Sequence, residues 1–597
     1  MAEHLPAWGA VPTPDGTRFR IWAPDAPSLT LEIEGREGIA LTRDAHGWFA
    51  TTLPCPAGTR YRYRLPESLG GLPVPDPASR RQSGDVHGWS VVVDPHGHAW
   101  TTEGWQGRPW HEAVVYELHA GAYGGFDGIR AQLPRLAALG VTMIELMPIN
   151  DFPGARNWGY DGVLPYAPDE TYGTPEALKA LVDAAHAAGI GVMLDVVYNH
   201  FGPDGAYLHV YAKPFFDPDR HTPWGAAIDF REAPVRDFFI ENALMWLRDY
   251  RLDGLRFDAV NAYRDPQFIA TMGQAIRAAL PAGRHVALVL ENEFNQARFL
   301  PRPYDAQWTD DWHHCVHVLL TGETEGYYAG FRDAAPLLAR SLAEGFAYQG
   351  ETPPAAGSQG EHKPEPRGEP SGHLPPTAFV ISLQTHDQVG NRAFGERPTV
   401  LADPDALHAA SVLLLLSPMI PMLFMGEEWG STAPFLFFTD HNAELAPLVR
   451  DGRRREFAHF AAFQDPAKRD RIPDPNDPAT FAASVPDPAE AERPPHDAVS
   501  ARTRALLALR RRFVMPRIPG ARSAGAAVIG PKAVQAAWRM GDGALLTIAV
   551  NLAPEPVAFT HPAGEVLYGT GERLASVTRE GALPGHSAVA FLAEETA

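Results

Sequence analysis

The chain has 597 residues, 45% of them hydrophobic and 21% charged, and a formal net charge of −21. That length holds two to four domains with a sizeable core, and the acidic balance argues against nucleic acid and anionic membrane as partners, which both reward clustered Lys and Arg. Two cysteines, Cys55 and Cys315, are too few for a disulfide framework and make a cysteine zinc site a poor expectation.

Met1–Pro6 has neither a basic n-region nor an apolar h-region, so a cytoplasmic location is expected. Residues 1–105 read as short strands. The segments 17–22 and 28–33 largely alternate apolar and polar side chains, and Pro14-Asp15-Gly16 is a turn signal before the first. They predict an N-terminal β-sandwich of immunoglobulin-like type.

Residues 106–515 change to a strand–helix–strand rhythm. Strands are expected at 114–119, 141–149, 190–197, 252–259, 285–291, 305–309, 378–386 and 419–426. The clearest helix follows Thr174. Thr174 suits an N-cap, Pro175 the first helical position and Gly189 a left-handed stop, while Leu178, Leu181, Val182 and Ala185 share one face. Eight such strands with crossover helices make an α/β fold, a (β/α)8 barrel. The apolar run 411–425 carries two prolines and reads as a buried helix entering a buried strand, not a membrane span. Residues 351–376 read as a long irregular loop, 465–498 as a Pro/Asp-rich stretch, and Arg453–Arg455 and Arg510–Arg512 as solvated helix faces. From 516 to 597 the pattern is β again, at 534–538, 544–550 and 587–592, which predicts a small C-terminal sandwich.

Acidic residues end four of the buried-looking strands: Asp195, Asp258, Glu291 and Asp387. Parallel barrels build active sites at that end. Residues two apart on a strand share a face, so Arg256 and Asp258 point together, and the guanidinium is expected to keep Asp258 ionised. Glu291 follows a continuous apolar run, where desolvation raises a carboxyl toward general-acid duty. An ionised carboxylate beside a protonated one is the logic of glycoside hydrolysis. Asn199, His200, His386, Gln388, Asn391 and Arg392 could hold sugar hydroxyls, and Trp158, Tyr160, Tyr166, Tyr172, Trp312 and Phe435 could supply stacking rings. No His-Glu-x-x-His motif, Walker loop or Gly-x-Ser-x-Gly elbow is present.

The segments Asp195–His200, Gly254–Asp258, Glu291 and His386-Asp387 together resemble the four short signature regions of the α-amylase superfamily. The resemblance spans the barrel and implies a retaining mechanism on α-glucosidic bonds. By position, Asp258 is the implied nucleophile, Glu291 the acid/base and Asp387 the transition-state stabiliser. Asp195, Arg256, His200 and His386 line the same subsite, and Tyr160 stacks under its sugar. Tyr116–His119, Asn157–Gly162, Trp308–His314, His386–Arg392, Met425–Trp429 and Pro434–His441 are similar to the trehalose-releasing branch of that superfamily. Gln388 and the Gly-Asn-Arg tail after Val389 depart from what a glycogen branching enzyme, the alternative, would show. Asn261 stands where that branch would have His. The implied substrate is maltooligosyltrehalose, a synthase that makes it is the implied functional partner, and Asp310, Asp311, Trp312, His313 and His314 are expected to border the trehalose-side subsites. No cofactor or obligatory metal is expected. A non-catalytic glucan-binding barrel would be expected to have lost one of the three acids, and all three are here.

Overall fold

The computed structural model describes residues 5–222, 225–354, 365–571 and 580–594. Eight parallel strands close a barrel: β1 (Val115–Leu118), β2 (Met143–Leu146), β3 (Gly191–Val196), β4 (Gly254–Phe257), β5 (Ala287–Leu290), β6 (Ala306–Trp308), β7 (Phe379–Ser382) and β8 (Ile420–Phe424). Each lies inside a segment expected to be a strand.

Side-chain alternation gives the barrel interior two levels. The lower is apolar: Val115, Met143, Met193, Val289, Val380 and Ile420 pack together with Trp308 and Met422. Two residues further along, toward the C-terminal ends, the inward positions turn polar: Glu117 on β1, Glu145 on β2, Asp195 on β3 and Arg256 on β4. Register sets the neighbours, with Glu117 opposite Glu145 and Asp195 opposite Arg256. The apolar floor thus carries a ring of ionisable side chains toward the C-terminal ends of the strands.

The helix Pro175–Ala187 starts and stops as its residues predict. Thr174 Oγ1 accepts the Ala177 N–H at 3.2 Å, Gly189 takes φ +75°, and Leu178, Leu181, Val182 and Ala185 are buried. The helix Pro404–Leu416 runs into β8 as expected. Among the described residues no helix is long and apolar enough to cross a membrane.

Two arginines correct the solvated-face reading. Arg510 is fully buried and donates to the carbonyls of Leu415, Ser417 and Met419, which the end of the helix Pro404–Leu416 leaves without helical partners. Arg453 is also buried and donates to Gly390 O and Arg392 O. Arg455, Arg511 and Arg512 are exposed as anticipated. The Pro/Asp-rich stretch holds short helices, each begun by an Asp-Pro pair. Asp465, Asp477 and Asp487 cap the N–H groups of Ala467, Ala479 and Ala489, and the proline fills the first helical position. Of the 351–376 loop, residues 355–364 lie outside the described residues; the rest is irregular up to the short turn Pro376–Ala378.

Before the barrel, two antiparallel sheets face each other across Phe19, Ile21, Leu31, Tyr61 and Tyr63. Trp8 seats this unit on the barrel helix Ala233–Arg248: its indole N–H donates to Pro234 O at 3.0 Å, its ring packs on Phe238, and Glu241 accepts its backbone N–H. After the barrel, a five-stranded sheet from Arg522 to Ala593 and the two-stranded pair Val557–Ala558/Ala582–Leu583 enclose Phe559, Leu583, Val589 and Phe591.

Candidate active site

Arg256 is the hub. Its Nη1 donates to both oxygens of Asp195 (2.9 and 2.7 Å) and to Asp258 Oδ1 (2.7 Å), while Nη2 lies 2.8 Å from Glu291 Oε2. The guanidinium sits 4.2 Å over the Trp308 ring, so one side is apolar and the fork faces three carboxyls. β4 ends at Phe257, and Ala259 takes φ +39°, a strained conformation for a side chain with Cβ. That turn aims the Ala259 N–H at Glu291 Oε2 (2.8 Å). Arg256 thus holds Asp258 on one nitrogen and Glu291 on the other, so the two carboxyls lie side by side.

Burial raises Glu291 above the usual carboxylate range, opposed by Arg256 and helped by the charge of Asp258. Asp258 is raised too, because burial and the charge of Asp195 outweigh Arg256. The arginine pulls Asp258 toward ionisation in the direction expected, but restrains the rise without cancelling it. Asn199 Nδ2 donates to the other oxygen of Asp258 at 3.0 Å.

Tyr160 and His386 form the opposite wall. The Tyr160 hydroxyl donates to Asp195 Oδ2 (2.6 Å) and lies 2.8 Å from His386 Nε2, and the two rings stack with centroids 5.2 Å apart. Gly159 places Tyr160: its φ is +102°, and a Cβ there would sit 2.1 Å from Pro148 O. His200 is 2.9 Å from Tyr160 O and 2.6 Å from Asn199 Oδ1. Thr385 caps the short helix His386–Gly390, which carries Asp387; Asn391 Nδ2 donates to Asp387 Oδ1 at 2.5 Å. Burial raises Asp387 as well.

The remaining predicted residues divide. Asp310 reaches the site. Its Oδ1 accepts from Gln388 Nε2 (3.3 Å), and burial with the charges of Glu291 and Asp387 pushes it up to about 8. Asn261 is half-buried in the turn Val260–Tyr263 beyond Asp258. Asp311 is a correction: it is buried and anchors the loop above, accepting from Asn295 Nδ2 and from the backbone N–H groups of Ala347 and Tyr348, and pairing with Arg367. Trp312 is fully enclosed. His313 is buried and stacks with His317, and His314 packs on Phe331, so one face of the helix Asp310–Thr321 supports the site instead of lining it. Arg392 is held bidentately by Glu323 at 2.7 and 2.9 Å. Among the stacking candidates only Tyr160 faces the site. Trp158 and Phe435 stack on each other, Tyr166 donates to Phe238 O in the core, and Tyr172 lies buried against His119.

Sequence reasoning passed over Glu117, Glu145 and Trp308. Glu117 binds His386, and Glu145 is buried with neither oxygen partnered among the described residues. For the two glutamates the signal was the strand period already used for Arg256 and Asp258, applied two and three strands earlier. Among the described residues no group of three or more His, Cys, Asp or Glu is arranged to hold a metal.

Residues 96–243 match the alpha amylase catalytic domain, and 521–590 match a domain of unknown function. A malto-oligosyltrehalose trehalohydrolase of a Rhizobium species (strain M-11) is 39% identical over 591 residues, covering 94% of this chain and 95% of the relative. The protein of that name in Deinococcus radiodurans is 41% identical over 84% of this chain and 82% of its own. A crystal structure from Salmonella typhimurium, described as of alpha-amylase type, superposes with a TM-score of 0.92 at 42% identity, over 99% of this chain and 100% of that one. A 1,4-alpha-glucan branching enzyme from a Jannaschia species aligns over only 44% of this chain and 42% of its own length, at 35% identity.

Proposed function

The chain belongs to the malto-oligosyltrehalose trehalohydrolase family, and on that premise we propose that it hydrolyses the α-1,4-glucosidic bond next to the terminal trehalose of a maltooligosyltrehalose. The products are free trehalose and a maltooligosaccharide. The observation that carries the chemistry is that one guanidinium grips both acids, Arg256 Nη1 meeting Asp258 Oδ1 at 2.7 Å and Nη2 meeting Glu291 Oε2 at 2.8 Å. An inverting hydrolase needs about 6.5–9.5 Å between its carboxyls to admit a water and a retaining one about 5–5.5 Å; two carboxyls held side by side on one guanidinium support the retaining double displacement.

In this reading Asp258 attacks the anomeric carbon while Glu291, its proton retained by burial, protonates the departing trehalose oxygen. As the proton leaves Glu291, Arg256 Nη2 and the Ala259 N–H stabilise the new carboxylate, which then draws a proton from the water that opens the glycosyl-enzyme. Asp387, held by Asn391, accepts sugar hydroxyls, and Tyr160 offers a ring face backed by His386. Gln388 and Asp310, on the adjacent turn and helix, are the polar groups placed to meet the trehalose side. A maltooligosyltrehalose synthase must supply the substrate in the same compartment. Two unpaired, buried cysteines suit the reducing cytoplasm.

The test is a side-by-side digest of maltotriosyltrehalose and maltopentaose. Trehalose plus maltotriose from the first, with slow attack on the second, supports the reading. Equal cleavage of both would replace it with a general amylase, and cleavage of neither would turn attention to branching.

A further inference from the structure

Glu117 lies on the inward face of β1, two positions beyond Val115, and is 1% exposed. Its Oε1 is 2.5 Å from Nδ1 of His386, and its Oε2 accepts the His386 backbone N–H at 3.0 Å. From His386 the contacts run to Tyr160 and then to Asp195, at 2.8 and 2.6 Å. Four groups, three of them buried and Tyr160 half-buried, from β1, the loop after β2, β3 and the turn after β7 thus form one chain.

Counting hydrogens orients that chain. Arg256 donates to both oxygens of Asp195, so Asp195 is an acceptor. The single Tyr160 hydroxyl hydrogen goes to it, and the Tyr160 oxygen can then only accept, which requires a hydrogen on His386 Nε2. On the other side, Glu117 Oε2 accepts a backbone N–H and Oε1 faces Nδ1, the acceptor geometry of a carboxylate, so Nδ1 carries a hydrogen as well.

We propose that Glu117 is a positioning residue of the sugar pocket: it holds His386 as an imidazolium whose Nε2–H fixes Tyr160, and so keeps the Tyr160 hydroxyl on Asp195. The proposal rests on the reading above only in taking Tyr160, Asp195 and His386 as the walls of the reacting sugar's subsite. The charged groups around His386 agree with it. Glu117 faces it from β1, Asp387 from its own turn and Arg256 from β4, with Asp195 and His119 also close enough to interact; burial works against the cation, and the two carboxylates outweigh burial and Arg256 to raise His386. Without the Glu117 charge, His386 becomes a neutral imidazole with its hydrogen on Nδ1. Its Nε2 then competes with Asp195 for the Tyr160 hydrogen.

The full-length protein with ¹⁵N-labelled histidine provides the test, the His386 signals being assigned against H386N. Both ring nitrogens are expected to be protonated in the wild type well above the ordinary histidine pKa of about 6.5. In E117Q they should show a neutral ring under the same conditions. Trehalose release by E117Q should fall about 100-fold in kcat/KM, with the alkaline limb of its pH profile moved down by about one unit or more, and E117D should restore the limb. A neutral His386 in the wild type overturns the proposal even if E117Q does not fold. So does an E117Q protein whose His386 signals and alkaline limb match the wild type. An imidazolium in a protein that releases no trehalose would count against the proposed activity alone.

Discussion

Arg256→Lys is the sharpest probe of the site. The arginine meets Asp195, Asp258 and Glu291 at 2.7–2.9 Å from a fixed planar fork. A lysine keeps the charge but is a point donor on a flexible stem, and cannot serve carboxyls on three strands at once. If the ammonium stays with Asp195, the contacts to Asp258 and Glu291 are lost. Hydrogen bonds to charged groups are worth about 1.5–3 kcal/mol each, so two amount to about 3–6 kcal/mol, or about 10²–10⁴-fold in rate where both act in the transition state. The pH profile adds a sign. Asp258 is raised by burial and pulled back by Arg256, and it must be ionised to attack. Weakening the pull raises it further, so the acid limb of kcat/KM should move to higher pH. The assay is trehalose release from maltotriosyltrehalose across the acid and neutral range, with near-UV circular dichroism to confirm packing. An R256K protein within about threefold of wild type, with its acid limb unmoved, would refute the assignment of Arg256 as the hub.

Asp258→Asn should leave the thermal midpoint near that of the wild type and abolish the burst of glycosyl-enzyme in a rapid-quench experiment, because an amide cannot attack. Asp310 binds protons in the native state up to about pH 8, whereas the unfolded chain loses them near the ordinary value, so its contribution to stability is present at low pH and drains away as pH rises between the two. D310N should accordingly raise the melting temperature more at pH 8 than at pH 5, and an equal effect at both would contradict the burial argument. Arg510→Met should destabilise by about 3–5 kcal/mol, since three buried carbonyls lose their donor; urea titration followed by tryptophan fluorescence measures it.

The eight barrel strands were legible because most are short, largely apolar runs spaced by helix-length segments, β6 (Ala306–Trp308) being the least apolar, and the helix Pro175–Ala187 because its cap, face and stop are all written in residues adjacent in sequence. The acids Asp195, Asp258 and Glu291 were legible for a related reason: a carboxylate that ends an apolar strand has little else to do. What could not be read depends on which side of an element meets a neighbour far away in sequence. Arg510 looks like a surface arginine beside Arg511 and Arg512, and only the packing of its helix against 415–419 shows that it caps those carbonyls. Asp311 and Trp312 follow Asp310 directly, yet the 100° step per helical residue turns Asp311 onto Ala347, Tyr348 and Arg367 and Trp312 into the core. Trp158 and Tyr160 looked alike as rings, but Trp158 pairs with Phe435, nearly three hundred residues on.

The electrostatics of the mouth follow from one imbalance. Glu117, Glu145, Asp195, Asp258, Glu291, Asp310 and Asp387 gather at one end of the barrel, against the cations Arg256 and, by the hydrogen count, His386. Desolvation forbids leaving so many carboxylates ionised, and the structure divides them. Glu117 and Asp195 are paired with the two cations. Glu145, with only acids and Arg256 near it, is raised far above its ordinary value by burial, and Asp310 and Glu291 are raised for the same reason. Asp258 keeps hydrogen bonds that favour ionisation, from Arg256 and Asn199. In the proposed mechanism the mouth therefore offers a neutral glucan many acceptors and, in Asp258, the attacking carboxylate. As the sugar acquires oxocarbenium character it meets an environment already biased toward positive charge, with dipoles and acids fixed before the substrate arrives, which is the condition under which electrostatic stabilisation lowers a barrier without reorganisation at the moment of reaction.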